Sequence, residues 1–397
     1  STQIDVKTAK AALFPSLSFS TSQQVVNRPY QETSSRVSGS EIISSNSKTS
    51  YNGNYGLNAS WTLYNGNKRL KTIQQEKLNN QVAELDVATS ENNIQESIAQ
   101  VYIQILYAAE SVKVNESTLQ VSIAQRDRGQ ELLNAGSIAK SDFAQLEAQV
   151  STDRYQLVTA QATLEDYKLQ LKQLLELDGE NEMNIYLPAL SDENVLAPLP
   201  TKKDVYIRAL SLRPEIEASK LNVEASELGI GIAKSSYLPT ISLSAGIGTN
   251  HTSGSDFTFG EQVKNGWNNS IGLSVSVPIF NNRQTKSAVQ KAKLQYETSM
   301  LSLLDEQKTL YKTIEGLWLD ANSAQQRYAA ANEKLKSTQI SYELISEQFN
   351  LGMKNTIELL TEKNNLLQAQ QEQLQAKYMA ILNMQLLKFY QGDQLAI

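Results

Sequence analysis

Residues 268–300 read NNSIGLSVSVPIFNNRQTKSAVQKAKLQYETSM, and their period changes halfway. First, Ile271, Leu273, Val275, Val277 and Ile279 alternate with Ser270, Gly272, Ser274 and Ser276. Residues two apart share a face of a strand, so this is a strand with one apolar and one small, polar face. After Asn281-Asn282-Arg283 the step becomes four and three. It runs through Tyr296, Met300, Leu303, Gln307, Leu310, Ile314, Leu317, Ala321, Ala324, Tyr328, Ala331 and Leu335, then Tyr342, Ile345 and Phe349. That is a heptad, the pattern of a helix supercoiled left-handedly against neighbours. Residues 283–350 contain no proline, and as one helix they extend roughly 100 Å at 1.5 Å per residue.

The same text occurs earlier in the chain. YGLNASWTLYNGN from Tyr55 matches IGLSVSVPIFNNR from Ile271, and NAG at Asn134 matches NLG at Asn350, both 216 positions apart. AKAALFPSLSFS from Ala9 matches AKSSYLPTISLS from Ala233, 224 positions apart, so one loop is shorter in the second copy. Leu17 and Phe19 alternate with Ser16, Ser18 and Ser20; Tyr51, Tyr55, Leu57, Ala59, Trp61 and Leu63 form a second row; Ile241, Leu243, Ala245 and Ile247 form a third. Residues 67–134 also lack proline and carry Ile94, Ile98, Val101, Ile105, Ala108, Val112 and Leu119 at heptad spacing. Shorter heptad helices return after each Gly turn, through Phe143, Val150, Leu157, Leu164 and Leu171, and through Leu360, Leu367, Leu374 and Ile381.

The expected organisation is therefore two internal repeats, 1–200 and 201–397. The first holds strands at about 13–27 and 51–64, a long helix at about 67–134, a return helix at about 138–177 and an equatorial segment at 178–200. The second holds a helix at about 202–235, strands at about 239–249 and 267–280, a long helix at about 283–350 and a return helix at about 355–391. Of the lead-in helix at 202–235 the first copy keeps only residues 1–14, so a preceding helix is expected in the native protein.

Composition narrows the function. A net charge of −6 argues against nucleic acid, which wants a basic face. The absence of cysteine and the single histidine, His251, make a zinc or triad site improbable. His251 is expected in a polar loop between strands. GIGIAK at Gly229 lacks the preceding strand and third glycine of a dinucleotide loop. No catalytic, cofactor or metal site is expected. No run approaches the ~20 apolar residues of a membrane helix, which leaves a β-barrel open. Closed bacterial barrels need at least about eight strands, so four strands per chain require oligomerisation. Two copies give eight and three give twelve; a wider lumen favours three. Tyr51, Trp61, Tyr64, Trp267 and Phe280, near strand ends, suit either interfacial girdles or ordinary strand packing. A soluble coiled-coil scaffold or adaptor, its strands packed on themselves, is the alternative.

In order, spacing and duplication, YLPTISLSAGIG, GLSVSVPIFNN, their first-copy partners and the two Gly turns resemble the TolC-like outer-membrane efflux family over nearly the whole chain. The resemblance implies a homotrimer. A twelve-stranded barrel would sit in outer-membrane lipid, continuous with a long coiled-coil α-helical barrel in the periplasm of a Gram-negative bacterium. It implies a passive exit duct for small molecules or proteins, in tripartite efflux or type I secretion. The turns Ala135, Gly136, Ser137 and Leu351, Gly352, Met353 would dock a periplasmic adaptor (membrane fusion) protein beside an inner-membrane transporter.

In that family a basic residue and a tyrosine near the second turn close the tip against a Thr-Asp pair, and opening untwists the inner hairpin. Here Ser141 and Asp142 match the pair, Lys354 the basic residue, and Phe349 stands at the tyrosine position, where it cannot donate. Lysine also lacks the bidentate geometry of arginine. Glu358 matches one position of the family's acidic rings, and Thr361 departs at the other. Asp142 and Asn355-x-x-Glu358 equally suit helix starts, where acid and a capping box are favoured.

Overall fold

The computed structural model describes residues 1–30, 34–38, 41–45, 48–177, 185–186, 195–255 and 257–395. In chain order the elements are α1 (Thr2–Ala11), β1 (Ser16–Asn27), β2 (Ser34–Ser38), β3 (Glu41–Ser45), β4 (Thr49–Asn65), α2 (Lys68–Asn134), α3 (Lys140–Leu174), α4 (Lys202–Leu212), α5 (Pro214–Lys234), β5 (Thr240–Thr252), α6 (Phe259–Asn265), β6 (Asn268–Ser276), α7 (Gln284–Asn350) and α8 (Thr356–Tyr390). Helix dominates, and α2 and α7 each run 67 residues without a break. Of the segment expected at 178–200, residues 178–184 and 187–194 lie outside the described residues. The chain packs as two compact units, 1–84 with 218–303 and 85–217 with 304–397.

The first unit is built on a four-stranded antiparallel sheet in the order β1-β4-β5-β6. Its register puts like residues in rows. Leu17, Ala59, Ala245 and Ile271 stand opposite one another, as do Trp61, Leu243 and Leu273. The neighbouring rows are Ser16, Ser60, Ser244, Gly272 and Ser18, Asn58, Gly246, Ser270. One face is thus apolar across all four strands and the other is small and polar. The apolar face is open: Ile271 is 79% exposed and Leu273 64%. Ser16, Ser18 and Ser20 on the polar face donate to carbonyls of β4.

Side-chain bonds hold the turn after α1 to β4 and the helices of this unit to one another. Trp61 Nε1 donates to Leu13 O at 2.7 Å, Gln75 Nε2 to Ala225 O at 2.8 Å, and Ser226 Oγ meets Ser299 Oγ at 2.7 Å. Among the described residues no helix is long and apolar enough to cross a membrane.

Six details differ from the sequence expectation. A register shift between Thr62 and Tyr64 puts Tyr64, rather than Leu63, opposite Ile241; the bulge restarts the alternation by one residue. β6 ends at Ser276, short of 280, because Pro278 has no N–H for the ladder. The helix expected at 202–235 is two helices: Pro214 drives Arg213 to φ −75°, ψ 125°, out of the helical region. His251 lies on β5, not in a loop. Its ring stacks on Tyr55 at 5.9 Å and meets Phe259 edge-on at 5.1 Å. It crosses Gly53, where a Cβ would stand 2.2 Å from the ring. The hairpin β2-β3 and the short α6 were not expected either.

The second unit is two helical hairpins, α2/α3 and α7/α8, with α4 against them. Val205, Ala209, Ile216, Leu310, Ile314, Ala321, Leu387 and Tyr390 form one buried cluster. Ile103, Leu106, Ala324, Tyr328, Ala376 and Ile381 belong to another. Arg213 is buried there between Glu215 at 2.8 Å and Glu96 at 3.3 Å, over the Tyr390 ring at 4.3 Å. Burial pushes the Glu96 carboxyl above the usual carboxylate range, against the pull of Arg213.

Candidate functional site

Each hairpin turns on a glycine in the left-handed region, Gly136 and Gly352, both at φ 73°. Ser137 N–H donates to Leu132 O at 2.8 Å and Gly136 N–H to Leu133 O at 3.0 Å. Met353 N–H and Gly352 N–H close the other turn on Gln348 O and Phe349 O at 2.8 and 2.9 Å. These paired bonds are Schellman closures, which satisfy the last carbonyls of a helix. No atom lies within 4 Å of a Cβ built on either glycine, so the backbone angle alone selects the residue. Ala135 and Ser137 are exposed, and Leu351 and Met353 turn apolar side chains to the outside.

Both return helices begin on a capping carboxylate, and in α8 the cap is reciprocal. Asn355 Oδ1 accepts from Glu358 N–H at 2.9 Å, and Glu358 Oε2 accepts from Asn355 N–H at 3.2 Å. Glu358 Oε1 accepts from Lys354 Nζ at 2.5 Å. That bond, and then the Asn355 amide, hold the Glu358 carboxyl below the usual carboxylate range. In the other hairpin Asp142 Oδ2 accepts the Ala139 N–H at 3.3 Å, although Ala139 has no side-chain oxygen to reciprocate. Thr361 Oγ1 donates to Ile357 O at 2.8 Å, within its own helix.

Lys354 and Glu358 are therefore brought together. Within the chain, no hydrogen bond or ion pair among the described residues joins Ser141 or Asp142 to Lys354, Phe349 or Glu358. Ser141 is exposed and Phe349 is 3% exposed. A phenylalanine in the heptad seam packs there without needing a polar partner.

Sequence reading missed three polar residues in this unit. Ser122, Asp153 and Lys363 are all buried and bonded to one another. For Asp153 and Lys363 the signal was present, since each falls at a heptad position in an otherwise apolar run.

A family model described as outer membrane efflux protein matches residues 1–176 and 205–392. The outer membrane efflux protein BepC of Brucella suis is 24% identical over 290 residues, 72% of this chain and 60% of that protein. The outer membrane protein TolC of Escherichia coli is 23% identical over 311 residues, 76% of this chain and 62% of that protein. The chain thus spans about three fifths of the length of these relatives. Among solved structures, CusC superposes with a TM-score of 0.81 at 19% identity, over 99% of this chain and 86% of CusC. The VceC outer membrane protein of Vibrio cholerae gives 0.78 at 16% identity, over 100% of this chain and 91% of VceC. The fold is that of these proteins, and with nearly all of its length matched by the family model the chain belongs to the outer membrane efflux protein family.

Proposed function

We propose that the chain is one protomer of a homotrimeric exit duct in the outer membrane, with its helical hairpins in the periplasm. The observation that carries this is the sheet. Its apolar face is exposed along all four strands, and among the described residues β1 and β6 have no partner on their outer edges. Exposed apolar rows in water favour association, and an unpaired edge leaves backbone groups unsatisfied. A shared twelve-stranded barrel in lipid relieves both, with the serine, asparagine and glycine rows facing a water-filled lumen. Two tandem repeats in each chain give each protomer two strand pairs and two hairpins.

The duct conducts passively and draws its energy from an inner-membrane transporter, joined through a periplasmic adaptor. Names among the relatives fit export: the alkaline protease secretion protein AprF of Pseudomonas aeruginosa and the toxin and drug export protein A of Aggregatibacter actinomycetemcomitans. Ala135, Gly136, Ser137 and Leu351, Gly352, Met353 form the adaptor-docking tips. Ser141, Asp142, Lys354 and Glu358 act between neighbouring protomers as the periplasmic gate, and Phe349 braces the second turn from inside. Three copies of Glu358 set an acidic ring that attracts cations.

Two measurements test this. Extraction from membranes should require detergent and yield a trimer; a freely water-soluble monomer would sink the reading in favour of a scaffold. In a planar bilayer the Asp142→Ala, Lys354→Ala double variant should conduct more per channel than the native protein. Native conductance in that variant means the two residues are helix caps and not a gate.

A further inference from the structure

Three helices meet at one polar layer in the second unit. Asp153 of α3, Lys363 of α8 and Ser122 of α2 are 1%, 3% and 2% exposed. Lys363 Nζ donates to Asp153 Oδ2 and contacts Ser122 Oγ, and Ser122 Oγ donates to the same carboxylate oxygen. The second oxygen, Oδ1, accepts from Gln149 Nε2 at 2.9 Å. The same Gln149 nitrogen reaches Asn364 Oδ1 on α8 at 3.4 Å.

Asp153 and Lys363 sit in runs that are otherwise apolar, whereas Ser122 continues a buried polar stripe. On α3 the run is Leu146, Val150, Asp153, Leu157; on α8 it is Leu360, Lys363, Leu367; on α2 Ser122 follows the buried Asn115 and Thr118. A buried ion pair adds little net stability, because desolvation offsets the attraction. Burial lowers the Lys363 pKa, with the Asp153 bond acting against it. The best-attested use of such a layer is register. An all-apolar seam can slip or rotate with small loss. A paired charge cannot, since any shift strands it in an apolar surrounding.

The layer ties the α2/α3 hairpin to the return helix of the α7/α8 hairpin, and it is close to the tips. Asp153 lies eleven residues after Asp142, and Lys363 five after Glu358. Movement of the tip of α8 away from α2 and α3 must break this layer or pivot on it. We propose that Ser122, Asp153 and Lys363 form an intraprotomer latch that sets the resting position of α8 at the tip, and with it the width of the lumen. This rests on the duct reading above.

The test pairs two readouts on the full chain. The first is single-channel conductance of the native protein, of an Asp153→Leu, Lys363→Met double variant, and of the charge exchange Asp153→Lys, Lys363→Asp. The second is the intrachain distance between spin labels at Ser137→Cys and Met353→Cys, clean because the chain has no cysteine of its own. A latch predicts about threefold higher conductance in the double variant, as a wider constriction passes more ions. It also predicts a longer or broader label distance with no loss of thermal stability, and a return toward native values in the exchange. Native conductance and label distance in an assembled double variant overturn it. So does a double variant that fails to assemble, which makes the pair a folding requirement, or an exchange that stays as open as the double. Should the native protein form no channels at all, the duct reading fails, and the label distances still judge the latch.

Discussion

At the scale of single residues the tip is governed by Glu358, which bonds both to Lys354 and to the amide of its own cap. Both bonds favour the ionised form, so the folded-state pKa is depressed. The sign follows from linkage. The carboxylate's contribution to the cap is complete above the unfolded-state pKa and is lost as pH falls through the lower, folded one. If three copies ring the lumen, the channel's preference for cations should persist into acid where ordinary carboxylates are neutral. Lys354→Met removes the largest cause of the shift, so the pH at which selectivity is lost should move upward. Reversal potentials measured across a pH series check this, and a midpoint indifferent to Lys354→Met would count against the bond. The capping box was legible in the sequence because a cap is local: Asn355 and Glu358 are three apart and need no distant partner. His251 was not. Its place depends on Gly53, about two hundred residues away, leaving room on the neighbouring strand. Asp153 and Lys363 were passed over for a related reason, since a heptad read through its leucines hides the polar residues that share the seam.

At the scale of elements, β6 separates apolar from small and polar residues most sharply. Ile271, Leu273 and Val275 share one face, and Gly272, Ser274 and Ser276 the other. If the apolar face meets lipid, Leu273→Arg should cost about 2–4 kcal/mol near the bilayer midplane, whereas Ser274→Arg, one residue on, faces the lumen and should fold nearly as well as native. Refolding yields into vesicles distinguish the two, and equal tolerance of both would put the apolar face in water. The strands were legible because alternation is a strong signal wherever one face is apolar. The long helices were legible because nothing within 68–134 or 284–350 interrupts the heptad with proline. The ends were less so. Pro214 was visible as a residue but was read through, and the helix it begins starts one residue after the chain has left the helical region at Arg213. The bulge at Thr62 could not be seen, since it is defined by the partner strand rather than by β4 itself.

At the scale of the whole molecule the governing fact is parity. Four strands alternate in direction, β1 with β4, β4 with β5, β5 with β6. The outer edges therefore run antiparallel, and β6 of one copy can pair with β1 of the next without breaking the alternation. Such a contact is heterologous, and it closes into a ring when the rotation between copies divides a circle. Strand tilt and shear fix that rotation, and neither is written in one chain's sequence. This is why four strands per chain ask for more than one copy without saying how many. The chain's lack of cysteine makes the number measurable. With one cysteine fixed at Ser270→Cys in β6 and a second moved along β1 from Ser16 to Ser22, some pairing should oxidise into covalent bands of two and three chains and none higher. Variants carrying a cysteine on one edge alone should give no ladder, because β6 never meets β6. A ladder ending at two chains would point to eight strands. Cross-linking from either single-edge variant would show that copies meet face to face, and a continuous head-to-tail wall would then be ruled out.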